Sequence, residues 1–187
     1  MDEFSYLSVL ISVILGLAVT QILKGFRAIL LSRARIRIYW PVLNWAALLL
    51  LVCVQHWWSM FGMRHRQDWT FEQFAIVLLN VGVIYMTAGL VFPDFFGDEV
   101  VDLKENFYAH RGWFFAFALA TVAVSICKQI VLDQKTPPTP ELVFHAIFGV
   151  TLLVGAVTRS ERYHKSLVVF GSALFVLYIV LLYARMQ

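Results

Sequence analysis

Polar side chains recur every seven residues along one long apolar stretch, residues 69–93. They are Gln73, Asn80, Thr87 and, just beyond the stretch, Asp94. Seven residues turn an α-helix by about 700°, roughly 20° short of two full turns, so the four side chains share one face. In a membrane, such a face either hydrogen-bonds to neighbouring helices and holds a bundle together or lines a hydrated path.

A second polar face is predicted where Thr121, Ser125 and Lys128 follow one another at intervals of four and three residues. Intervals of this size place side chains on one side of a helix. Lys128 is expected about one turn inside the end of its apolar segment. Its ammonium group either extends to the lipid headgroups or faces a cavity, where it would select solutes by charge.

Two histidines, His56 and His145, are predicted to lie at one depth, each about 7 Å inside the same membrane surface. Gln55 and Glu72 fall in the same polar layer. Two histidines on adjacent helices can hold a haem iron, and together with Glu72 they could bind a divalent metal. Since no HExxH or CxxCH motif accompanies them, we expect hydrogen-bonded histidines and no metal or cofactor.

Small residues mark the places where helices are expected to approach one another closely. Two sets have suitable spacing: Ala75, Gly82 and Gly89, on the side opposite the polar face of their helix, and Ser8, Ser12, Gly16 and Thr20 near the N-terminus. The second set predicts a helix–helix contact, with a hydroxyl-lined path as the alternative.

The elements that must position these residues are six apolar segments. The chain is 60% hydrophobic and 14% charged, against about 25% charged residues in ordinary soluble domains. Segments of roughly 17–25 residues cross a hydrocarbon core of about 30 Å. The fold class is therefore all-α, a polytopic membrane helical bundle, with residues 1–187 as a single transmembrane domain. The predicted spans are residues 6–23, 40–61, 71–92, 112–132, 141–158 and 166–183.

Lysine and arginine are distributed unequally between the two sides of the membrane. The first, third and fifth connections hold ten of these residues, and the opposite side holds five. Because cytoplasmic loops carry the excess, both termini are expected to face the periplasm or the outside. The basic residues cluster at span ends, so the sequence pI of 9.0 indicates anionic lipid headgroups, at Arg33, Arg35 and Arg37, rather than nucleic acid.

Signatures of enzymes are missing from the sequence. It contains neither a GxSxG motif nor a Walker loop, and Cys53 and Cys127 lie in apolar spans without a redox or metal spacing. An enzyme is therefore not expected. The layout of six spans with short connections resembles that of a family of uncharacterised six-span bacterial inner-membrane proteins, and this resemblance implies a location but no function.

Permeation of an ion or small solute is the first functional hypothesis, along the polar faces of the first, third and fourth spans. A chain of this length has little room for a wide conduit, so a homo-oligomer in the inner membrane is expected. The first alternative is a non-catalytic partner or sensor subunit, whose polar residues only join helices. The second alternative is a redox membrane protein that binds haem or metal through His56 and His145.

Overall fold

Six long helices make up nearly all of the structure, a computed structural model that describes residues 3–31, 36–66, 69–93 and 100–183. Each helix is long and apolar enough to cross a membrane. The predicted all-α membrane bundle of six helices is therefore confirmed. The helices are α1 (Glu3–Leu31), α2 (Trp40–Met60), α3 (Phe71–Gly89), α4 (Leu103–Asp133), α5 (Thr139–Val157) and α6 (Glu161–Tyr178).

Local capping decides where two of the helices begin. Thr70 and Gln73 form a capping box at the start of α3, in which each side chain accepts from the other residue's backbone N–H at 3.3 Å. Asp102 caps α4 by accepting from the N–H groups of Lys104 and Glu105. This cap explains why α4 begins well before the predicted span at 112. The 31 residues of α4 extend about 46 Å, beyond a hydrocarbon core of about 30 Å.

Two contacts fix which connections share a face of the bundle. The short strand β1 (Ile36–Arg37), in the first connection, pairs in parallel with β2 (Val101–Asp102), in the third. Beside them, Lys104 Nζ lies 2.6 Å from a carboxylate oxygen of Glu161, which follows the fifth connection. We call this side the strand face. The first, third and fifth connections thus lie together, as six alternating spans require.

Polar contacts also join the opposite side, which we call the N-terminal face. The Glu3 carboxylate accepts from the backbone N–H of Trp69 at 3.3 Å. Arg66 lies 2.6 Å from the carboxylate of Asp133, the last residue of α4 before the fourth connection. The start of α1 and the second and fourth connections therefore share this face. That the N-terminal face meets the periplasm or the outside stays a prediction, because these contacts relate the connections only to one another.

Five of the six helices surround the interior of the bundle, and α1 packs against the outside of two of them. Neighbouring helices pack in the order α1, α3, α4, α5, α6 and α2, and α2 packs in turn against α1. One side of α1 is buried in these contacts, at Leu7, Ile11, Leu15, Ala18 and Ile22. The remaining helices, α2 to α6, surround the middle of the bundle.

The closest helix approaches lie elsewhere than the small-residue spacing predicts. The three glycines of the two small-residue sets, Gly16, Gly82 and Gly89, have no atom of another element within 4 Å of an added Cβ. No other helix in the described part of the chain therefore approaches closely at these three glycines, since spacing shows which residues share a face but not which face meets a neighbour. The N-terminal set does contact α2, because the Ser12 hydroxyl oxygen accepts from Trp57 Nε1 at 3.4 Å. The close approaches lie instead at Gly25, where a Cβ would overlap the ring of Phe92, and at Gly155, where it would come within 3.0 Å of side chains from α4 and α6.

Candidate functional site: a polar cavity inside the bundle

A cavity of about 150 Å³ lies inside the bundle between α2, α3, α4, α5 and α6. We call this space the central cavity. Much of its lining is aliphatic or aromatic, but every one of the five helices contributes polar groups as well. Besides Trp45, the polar lining residues are Gln55, His56, Asn80, Thr87, Thr121, Ser125, His145, Thr151 and Tyr178. Because a water molecule takes about 30 Å³ in the liquid, the cavity has room for several.

Asn80 is the lining residue whose polar atoms the protein leaves least satisfied. Its side chain is 0% exposed and lines the central cavity at the middle of α3. Neither Nδ2 nor Oδ1 has a hydrogen-bond partner within the part of the chain that the structure describes. An unsatisfied buried polar group costs about 1–3 kcal/mol, and lipid offers no replacement partner.

Three threonines in the lining use their hydroxyl hydrogens within their own helices. The hydroxyls of Thr87, Thr121 and Thr151 each donate to the carbonyl oxygen four residues earlier in their own helix, at 2.8, 2.9 and 2.9 Å. Since each hydroxyl hydrogen is used within its own helix, lone pairs on the hydroxyl oxygens remain for an occupant.

The indole of Trp45 adds a hydrogen-bond donor at the end of the cavity nearer the strand face. Its ring is buried and lines the cavity, and Nε1 has no acceptor among the described residues. The ring packs edge-on against Phe114 and Phe115, with ring centroids 5.4 and 5.9 Å away. Phe115 in turn stacks on His164 at 5.6 Å. These four side chains, which we call the aromatic layer, lie between the central cavity and the strand face.

A hydrogen-bond network joins three helices at the other end of the cavity. The Glu141 carboxylate of α5 accepts from the Gln129 amide of α4 and from the Tyr178 hydroxyl of α6, the latter at 3.2 Å. One turn further along α5, His145 Nδ1 donates to the Glu141 carbonyl oxygen at 2.8 Å. In a neutral ring, this bond leaves Nε2 of His145 as an acceptor.

Lys128 lies beside this network rather than in the lining. Its side chain is half-buried and interacts electrostatically with Glu141 and Asp133. None of the described lining residues is Asp, Glu, Lys or Arg. With its histidines neutral, the central cavity is therefore polar without carrying a formal charge.

The central cavity unites seven of the residues that the sequence singles out. They are Gln55 and His56 of α2, Asn80 and Thr87 of α3, Thr121 and Ser125 of α4, and His145 of α5. The polar faces of the third and fourth spans thus meet in one space. The expected contribution of the first span is wrong: over its whole described length, α1 adds no residue to the lining. Its place is taken by α2, α5 and α6.

Three other residues of the predicted site do not line the cavity, and a fourth lies outside the described residues. Gln73 uses its side chain in the capping box of α3, and Glu72 is exposed in the first turn of the same helix. Lys128 packs outside the lining. Asp94 lies outside the described residues. The described part of the seven-residue polar face is therefore divided, since Asn80 and Thr87 line the cavity and Gln73 does not.

The predicted lipid-binding arginines belong to the first connection. Arg33 and Arg35 lie outside the described residues. Arg37 is in β1, where its side chain is 76% exposed and lies 3.8 Å from the Asp102 carboxylate. Contact with anionic headgroups stays a prediction at all three arginines.

His56 and His145 both line the cavity, but the structure does not support a metal or haem site at these two histidines. Among the residues that the structure describes, no group of three His, Cys, Asp or Glu side chains is placed to hold a metal ion. Glu72, the third ligand of the metal hypothesis, does not line the cavity. A cavity of about 150 Å³ fits a molecule the size of benzene.

Sequence reasoning missed three contributions to this part of the bundle. Thr151 and Tyr178 line the cavity, but each is an isolated polar residue in an apolar span, so no periodic pattern indicates its face. His164 is fully buried against the aromatic rings, and its Nε2 donates to the Thr158 carbonyl oxygen at 3.0 Å. Its position in the first turn of α6 predicts an interfacial side chain, and only the packing reveals its burial.

Six apolar helices around a partly polar interior define an integral, multi-pass membrane protein. Comparison of the chain with protein families, with curated proteins and with solved structures finds no match. The arrangement of the central cavity is therefore the basis for a functional assignment.

Proposed function

We propose that the protein mediates the permeation of a small solute across the membrane, with the central cavity as the binding site on the route. The observation that carries this proposal is the Asn80 amide. It is buried at the middle of a membrane-spanning helix, without a partner in the described chain, and it belongs to a residue that lines the cavity. Polar groups at this depth face a partner helix or a water-filled space. Since neighbouring helices offer this amide no hydrogen bond, the second arrangement is favoured.

The proposed route passes through the middle of α2 to α6. From the N-terminal face, a solute would meet His145 and Tyr178 first, then Asn80 and Thr87. The aromatic layer lies beyond Thr87 on the way to the strand face. Passage to that face would therefore require rotation of Trp45 or of the rings packed against it, so these side chains would act as a gate.

A partner or sensor subunit is the second candidate, because two interhelical hydrogen bonds use polar side chains only to join helices. Asn44 of α2 donates to Ser172 of α6 at 2.8 Å. Gln21 of α1 donates to Tyr85 of α3 at 3.1 Å. Since none of these four residues lines the central cavity, this role does not account for Asn80.

Location and assembly complete the proposal. The count of ten basic residues against five favours an inner membrane in which the N-terminal face points outward, and the small interior favours a homo-oligomer. A reporter fused after Gln187 should then behave as periplasmic. A reporter that is active in the cytoplasm would reverse this orientation.

Flux measurements in liposomes test the permeation proposal. Purified wild-type protein, Asn80→Leu and Asn44→Leu would be reconstituted, and the entry of water, acetamide and potassium measured for each. We expect Asn80→Leu to lower flux on the order of tenfold, because leucine adds an apolar constriction that can dewet a narrow path. Asn44→Leu makes the same substitution outside the lining and should keep the wild-type flux per folded molecule. Wild-type flux no higher than that of protein-free liposomes would remove the proposal.

A further inference from the structure

We infer that the solute is a small neutral molecule with both hydrogen-bond donors and acceptors, such as a short amide, and that ions are excluded. This inference rests on the proposed permeation function. Three properties of the central cavity carry it: the absence of charged side chains from the described lining, the arrangement of donors and acceptors, and the volume.

Charge gives the first restriction on the solute. No lining residue in the described chain is Asp, Glu, Lys or Arg. The adjacent charges are Lys128 and Glu141, which interact with each other. Glu141 also accepts from Gln129 and Tyr178, so its carboxylate is occupied. An ion in the cavity would lose its hydration without gaining a counter-charge, which is highly unfavourable at low dielectric. A neutral solute avoids this cost.

Hydrogen bonding gives the second restriction. Two lining residues carry a buried donor that lacks a partner in the described chain, at Asn80 Nδ2 and Trp45 Nε1. Lining residues also carry acceptors, among them Asn80 Oδ1, the hydroxyl oxygen of Thr87 and Nε2 of His145. A hydrocarbon would leave all of these groups unpaired, and a solute with acceptors alone would leave Asn80 Oδ1 unpaired. A molecule that carries a carbonyl oxygen and N–H groups can satisfy both kinds.

Volume gives the third restriction. A space of about 150 Å³ holds a molecule on the order of six non-hydrogen atoms, since an apolar cavity of this size binds benzene. The aliphatic and aromatic part of the lining suits a solute with a small apolar portion. Acetamide meets all three restrictions and is therefore the probe.

The experiment compares acetamide with water, potassium and chloride in the same proteoliposomes. Asn80→Asp replaces the donor Nδ2 by a carboxylate oxygen of nearly the same shape. Gln21→Glu makes the same chemical change in α1, outside the lining, and is the matched control. We expect wild-type protein to conduct acetamide but neither ion, and Asn80→Asp to lower acetamide flux at least fivefold while Gln21→Glu leaves it unchanged. If Asn80→Asp does not fold, Thr87→Val removes an acceptor from the lining and should lower the same flux.

The remaining outcomes separate this inference from the function on which it rests. Potassium or chloride flux that falls in Asn80→Leu would overturn the neutral-solute inference and leave permeation standing. Water flux without acetamide flux would also overturn it. Flux of none of the four probes would remove the permeation proposal, and the solute class would fall with it.

Discussion

Asn44 and Asn80 lie inside membrane-spanning helices of one bundle, yet their side chains have opposite surroundings. Asn44 Nδ2 of α2 donates to the Ser172 hydroxyl at 2.8 Å and to the Val168 carbonyl oxygen at 3.3 Å, both in α6. Asn80 of α3 is more deeply buried, and neither of its polar atoms has a partner among the described residues. One asparagine joins two helices, and the other faces a cavity.

This difference separates two uses of a polar residue in a membrane bundle. A partnered amide contributes to helix association, so its removal should lower stability. An unpartnered amide contributes nothing to association, and its burial is compensated only by something inside the cavity. A polar residue in an apolar span is therefore not by itself a sign of a pathway. The hydrogen-bond partners of that residue decide between the two uses.

The largest effect on stability is expected at the partnered asparagine. Asn44→Leu removes the hydrogen bonds to α6 and should cost about 0.6–2 kcal/mol of bundle stability, the range for interhelical hydrogen bonds in membranes. Denaturant titration of the purified protein in detergent measures this loss. An unchanged free energy of unfolding would mean that Asn44 does not join the helices. Asn44 could then not serve as the partnered asparagine with which Asn80 is compared.

A double-mutant cycle tests whether the hydrogen bond between Asn44 and Ser172 stabilises the bundle. Asn44→Ala and Ser172→Ala, made singly and together, should show a coupling energy of about 0.6 kcal/mol and at most about 1.7 kcal/mol. The coupling is expected because the two side chains hydrogen-bond to each other at 2.8 Å. If the losses of stability in the two single variants add up to the loss in the double variant, the two side chains stabilise the bundle by packing and not by their hydrogen bond.

The sequence predicts the face shared by Asn80 and Thr87 correctly, because helical spacing is a local property. It does not predict which helices meet that face, since this depends on packing between segments that are distant in the chain. The first-span set, Ser8 to Thr20, has equally regular spacing and still lies outside the cavity. Thr151 and Tyr178 line the cavity without any repeating pattern in their own spans.

Local backbone chemistry also overrides periodicity at the helix ends. Gln73 belongs to the seven-residue pattern, but it is the third residue of α3, where its side chain accepts from the N–H of Thr70. An unpaired N–H in the first turn is the nearest available donor for this side chain. The start of α4 shifts in the same way, because Asp102 caps the helix ahead of its apolar part. Periodicity thus locates faces within helices better than it locates helix ends.

A smaller loss is expected at the contact between α1 and α3. Gln21→Leu removes the hydrogen bond to the Tyr85 hydroxyl, which is 3.1 Å long and only partly buried. The cost should be about 0.6 kcal/mol, the average for such bonds in membranes, with flux per folded molecule unchanged. Altered flux at full stability would place α1 on the route and contradict the five-helix lining.

The smallest effect on stability is expected for Thr87→Val in the cavity itself. The Thr87 hydroxyl donates only to the Val83 carbonyl oxygen of its own helix, a bond that does not strengthen the helix. The stability of this near-isosteric variant should stay within about 0.5 kcal/mol of wild type, while flux falls through loss of an acceptor. A marked loss of stability at normal flux would make Thr87 a structural residue.

The stability of Asn80→Leu tests most directly whether Asn80 faces a cavity or a partner helix. The measurement is the same denaturant titration in detergent that is used for Asn44→Leu. An amide that faces water or solute loses no protein partner when it becomes leucine, so the free energy of unfolding should equal or exceed that of wild type. A loss of about 0.6–2 kcal/mol, as expected for Asn44→Leu, would contradict this and make Asn80 a second joint between helices.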